Sequence, residues 1–161
     1  MNKELKQLDK LAHQTFGYLV VAAIIPFLVG YLLFYNKSGT SASVFLIGVS
    51  LLGFSGSALA ALISALNRYA NGFEKENGEK VPKEAMGETF NRRMARWFFI
   101  RPFLGFFIAP VFLSGLKFFA DDPAKFYSTP DEVAFTAFVT GLLAKSILEL
   151  IKGLFKNIFK A

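Results

Sequence analysis

Residues 44–66 read VFLIGVSLLGFSGSALAALISAL and contain no charged side chain. The run outlasts the ~20 apolar residues that a helix needs to cross the hydrocarbon core of a bilayer. Its small residues are ordered. Gly53, Ser57, Ala61 and Ala65 recur every four positions, and Gly56, Ala60 and Ser64 form an adjacent row. Small side chains at that spacing let helix backbones approach closely, and hydroxyls can bond across the contact. The segment therefore reads as a membrane-spanning helix whose ridge packs within one bundle or joins copies. Gly105 and Ala109 repeat the theme further along.

Working outward, Phe16–Tyr35 is a second charge-free run, separated from the first only by the polar turn 36–41. So short a link makes the two helices antiparallel neighbours. Phe16–Tyr35 is longer than the apolar region of a signal peptide, and no small-residue cleavage site follows it, so it reads as a retained span. A third span covers Trp97–Phe119. The fourth, over about 130–151, begins at Thr129-Pro130-Asp131-Glu132. There Thr can cap, Pro suits the first helical position, and two carboxylates face the positive end of the helix dipole. Only Val133–Ala144 of this span is free of charge. Beyond it Lys145, Glu149, Lys152, Lys156 and Lys160 fall in steps of three or four among Leu, Ile and Phe. That is an amphipathic helix over 145–160 with a narrow charged stripe.

Between the second and third spans, 67–96 is the longest polar stretch. Its first half, 72–82, mixes charge with Gly and Pro and reads as an exposed loop. Its second half, with Glu88 and Arg92 one turn apart and Phe90, Met94 and Trp97 on one stripe, reads as a short interfacial helix leading into the third span.

Composition agrees with this plan. Of 161 residues, 53% are hydrophobic and 19% charged, and Phe alone accounts for 20. Disorder, collagen-like repeats and a disulfide-stapled fold are excluded. The net charge of +6 is unevenly placed. Basic residues crowd the N-terminal arm (Lys3, Lys6, Lys10), the 67–96 loop and the C-terminal segment, whereas the 36–41 turn has Lys37 alone and the third loop sets Lys125 against Asp121 and Asp122. Because Lys and Arg stay on the cytoplasmic side, the arm, loop and tail share that side. The expected fold is an all-α integral membrane protein, one membrane domain over 1–161. It has four transmembrane helices in two antiparallel hairpins, a cytoplasmic middle loop and an amphipathic C-terminal extension. A bacterial cytoplasmic membrane with both termini inside is the expected setting. Arg92, Arg93, Arg96, Arg101, Lys152 and Lys156 form a basic surface for anionic headgroups.

Catalytic constellations are missing from the sequence. There is no Cys, and His13 is the one histidine. A lone imidazole cannot build a transition-metal site. Gly48-Val49-Ser50-Leu51-Leu52 lacks the second glycine of a nucleophile elbow, and no Gly-rich loop closes on Lys-Ser or Lys-Thr. The expectation is a protein that is not an enzyme, holds no cofactor or metal and reads no nucleic acid. No carboxylate lies near the middle of a span, which argues against a proton-coupled exporter. The charges that do enter the spans are costly there and mark candidate function. Lys145 and Glu149, one turn apart, are the candidate pore lining or buried pair. The leading expectation is a homo-oligomeric assembly forming a pore or perturbing the bilayer. Alternatives are an anchor that recruits a cytosolic protein through the basic loop and tail, or a small-solute transporter.

Overall fold

The first helix, α1, runs from Lys3 to Tyr35 without interruption. The polar arm and the apolar run are thus one rod of 33 residues, about 50 Å at 1.5 Å per residue. The computed structural model describes residues 3–35, 42–75, 78–85, 87, 90–119 and 129–158. The 36–41 turn, Glu88, the loop around Lys125 and Lys160 lie outside the described residues. Helix α2 covers Ala42–Asn71. Gly72 stops it with a positive φ of 75°, its N–H donating to the Arg68 carbonyl at 3.0 Å. Left-handed backbone at this position is the usual way a helix ends on glycine.

Past Gly72 the segment read as a plain loop folds into a small hairpin. Strands β1 (Phe73–Glu74) and β2 (Lys80–Val81) pair antiparallel, Phe73 opposite Val81. Lys75 and Glu79 tie its turn by a backbone bond of 2.9 Å and an ion pair of 3.1 Å. Val81 is buried under it. The expected interfacial helix and third span merge: helix α3 extends from Arg92 to Phe119. Asn91 begins it, its side-chain oxygen accepting the Met94 N–H at 3.0 Å, the bond that makes Asn a good helix cap. Phe90, just outside, is wholly buried and stacks on Phe98, with Phe16 of α1 edge-on to it.

Helix α4 spans Pro130–Leu142. The start signal read from sequence is present: Thr129 and Glu132 form a reciprocal capping box, with Pro130 at the first turn. The run read as one span over 130–151 is broken. At Leu143 the chain bends by 64° into helix α5, Ala144–Ile158. Thr140 turns its hydroxyl back onto the Thr136 carbonyl at 2.7 Å and Gly141 follows it, the local chemistry at which helices kink.

Helix α2 is the hub, with α1, α3 and α4 all packed on it. Its small residues explain why: over its apolar window 56% of residues are buried in the bundle, against 17% for α1. Two apolar clusters fill the bundle. One gathers Phe34, Val49, Leu52, Ala109, Leu113, Val133 and Ala137. The other, toward the basic N-terminal end, gathers Ala12, Leu19, Ala61, Ala65, Phe90, Ala95 and Phe98. Outward, Val21, Ile24, Leu28 and Leu32 of α1 and Phe107 and Val111 of α3 are exposed, Val111 to 72%. Continuous apolar surface of that extent suits lipid and not water. Helices α1, α2 and α3 are each long and apolar enough to cross a membrane, and the bent α4–α5 pair makes a fourth if taken as one span.

Candidate functional site

Three helices meet on glycine halfway along the bundle. A methyl group on Gly53 of α2 would collide with the Gly105 carbonyl and the Ala109 side chain of α3. One on Gly105, or on Gly141 of α4, would collide with the Gly53 carbonyl. Gly56, one turn along, lies as close to the Phe138 carbonyl of α4, with the Leu142 nitrogen 2.9 Å from where its Cβ would sit. Backbone therefore touches backbone at this node, leaving no room for a lumen between α2, α3 and α4 there. Of the ridge expected from sequence, Gly53, Gly56, Ser57, Ala61, Gly105 and Ala109 are buried, and Ala60 and Ser64 half-buried. Gly141 completes the contact and is absent from that expectation. Its signal was present in Ala134, Ala137, Gly141 and Ala144, small residues at steps of three and four, all buried.

Serines of α2 tie the neighbours to the hub. Ser55 donates to the Ala23 carbonyl in the turn of α1 that Pro26 opens. Pro26 gives no N–H to the Ala22 carbonyl four residues back, and the Ser55 bond to the next carbonyl fastens that loosened turn to α2. Ser57 donates to the Arg101 carbonyl of α3 at 2.9 Å. Ser64 donates to its own Ala60 carbonyl at 2.8 Å and accepts from Arg101 Nη1 at 2.9 Å.

Arg101 departs from the basic surface with which its sequence position groups it. Only 8% of it is exposed, its stem folded along the bundle and its head on Ser64. Arg92, Arg93 and Arg96 are exposed at the start of α3, and Lys152 is exposed on α5. Lys156 stands one turn beyond Lys152 on the same helix.

Lys145 and Glu149 pair on α5, Nζ to Oε1 at 3.4 Å. Neither is covered: their side chains are 52% and 61% exposed. This pair lies just past the bend, whose last α4 turn rests on Gly56.

At the basic end, Tyr69 donates to Asp9 Oδ1 at 2.6 Å, and His13 Nδ1 lies 2.9 Å from the Asp9 carbonyl. The Asp9 hydrogen bond, with burial and the carboxylate's charge, pushes the Tyr69 phenol above its ordinary pKa of 10.0. A polar groove of about 530 Å³ lies between the α1 arm (Glu4, Gln7, Lys10, Gln14) and Arg92. An apolar one of about 280 Å³ opens sideways between α1 and α2, lined by Ile24, Phe27, Leu28, Ser55, Leu59 and Phe138. No family model, no curated protein and no solved structure matches this chain.

Proposed function

We propose that this chain is a non-enzymatic integral membrane protein that works as a homo-oligomer around a water-filled pore, with the charged stripe of α5 lining the cytoplasmic mouth. The basic end faces the cytoplasm in this reading, in accordance with the preference of Lys and Arg for that side. The observation that carries it is the depth of the bend. Gly141 rests on Gly53, near the middle of the apolar run 44–66. Helix α4 has 13 residues, about 20 Å, against a hydrocarbon core of ~30 Å. Turned by 64°, α5 then gains depth at only about 0.7 Å per residue. Lys145 and Glu149 thus start within the inner half of the slab. A charge near the centre of a span costs ~2.5–3.5 kcal/mol on insertion scales, and this pair is exposed. Water in a lumen shared by several copies removes that cost. A pore through one subunit has no room at the glycine node, so the lumen belongs between copies.

Mass measurement in mild detergent, followed by planar-bilayer recording, tests the reading. A ring of four or more subunits that carries current supports it. A monodisperse monomer that carries none refutes it. The polar groove at Glu4, Lys10 and Arg92 favours a second reading, a membrane anchor that docks a cytosolic protein at the basic end. Under that reading, charge reversal at Lys10 and Arg92 abolishes co-purification of a soluble protein and leaves oligomer mass unchanged.

A further inference from the structure

We infer that the pore selects anions. The inference rests on the pore reading above and adds the class of solute. Along α5 the charges are Lys145, Lys152 and Lys156 against the single carboxylate of Glu149. That carboxylate is already engaged by Lys145 at 3.4 Å. Lys152 stands one turn beyond Glu149 on the same stripe and is exposed, a second cation beside that one carboxylate. Helix α3 carries no Asp or Glu to compensate it. Glu4 belongs to the groove beside Arg92, and Asp131 and Glu132 stand at the opposite end of α4. A mouth lined by this stripe carries more Lys than carboxylate on each subunit. Rings of Lys and Arg select anions by attracting them and repelling cations, and low-dielectric walls focus that field.

The test is full-length protein in planar bilayers under a KCl gradient, with oligomer mass measured for every variant. Wild type reverses on the chloride side of zero. A unit charge ~5 Å from the ion path changes ion occupancy about fourfold in water. The effect falls on chloride and potassium in opposite directions, so Lys152→Gln lowers the chloride-to-potassium permeability ratio by at least about tenfold, and Lys152→Glu by at least about a hundredfold. Lys152 is exposed, so neither variant threatens folding. Cation preference in wild type, or a ratio that neither substitution moves at unchanged oligomer mass, overturns anion selection and leaves the pore standing. An assembled ring without current overturns the pore, and the inference falls with it.

Discussion

A single methyl group at Gly141 tests the glycine node. The added carbon would lie 2.7 Å from the Gly53 carbonyl carbon and 2.8 Å from its Cα, where ordinary contact needs 3.4–4 Å. Both neighbours are backbone, so no rotamer change relieves the clash, and α4 must move away from α2 by close to an ångström. Overfilling a packed interior costs about 1–3 kcal/mol, more where backbone must shift. A gap of that width also forfeits a quarter to a half of each surrounding dispersion contact. Gly17 is the control, because nothing lies within 4 Å of its Cβ position. Ala there gains about 1 kcal/mol of helix propensity without a clash. Both variants receive that gain, so the difference between them isolates the contact, about 2–4 kcal/mol, or roughly a hundredfold in folding equilibrium. Reversible unfolding by denaturing detergent, followed by circular dichroism, reads it. Equal stability of Gly141→Ala and Gly17→Ala would refute close backbone packing at the node.

Ser64→Ala removes the hydroxyl that Arg101 Nη1 meets and destabilises by about 1–3 kcal/mol, whereas in the Arg101→Met background the same change costs little. A double-mutant unfolding cycle checks this coupling. The raised pKa of Tyr69 means the folded state favours the neutral phenol; its contribution to stability is complete below pH 10.0 and is lost as pH climbs through the higher folded value. Alkaline absorbance titration of wild type against Tyr69→Phe isolates that late-titrating phenol, and a difference curve centred at or below pH 10 contradicts the Asp9 bond. Reporter fusions at Gly78 and after Ala161 give cytoplasmic signals and a fusion at Ser38 an external one; an external signal at Gly78 removes the shared side of arm, loop and tail.

The spans over 16–35 and 44–66 were legible because charge is absent from them, and that over 97–119 because only Arg101 and Lys117, near its two ends, interrupt the apolar run, a property of local composition. The ridge on α2 was legible for a similar reason, since its period sits within one uninterrupted run. Helix ends were harder. The arm holds Leu5, Leu8, Leu11 and Ala12 among charged and polar residues, too few for the start of α1 at Lys3 to show in hydropathy, and Asn91 lies in a polar stretch where a cap resembles any other loop residue. The bend does not show in the sequence because it falls within the charge-free run Val133–Ala144, which no charge or proline divides. It lies beside Gly141, which α2 holds from outside α4. Arg101 illustrates the same limit. Its partner Ser64 is far away in sequence, and the reading that it snorkels to the headgroups follows from local position alone.

A helix of 13 residues cannot hold itself across lipid, so α4 depends for its place on α2 and α3. Its landing surface is Gly53 and Gly56, with Gly105 alongside, and that surface is complete only when those two helices have already come together. During synthesis the first three helices can leave the translocon as independent apolar rods, while the last segment must wait at the interface. Maturation then ends with a docking step. Before that step the three-helix intermediate presents a glycine-lined cleft to the surrounding bilayer, open to whatever lipid or neighbouring helix arrives first.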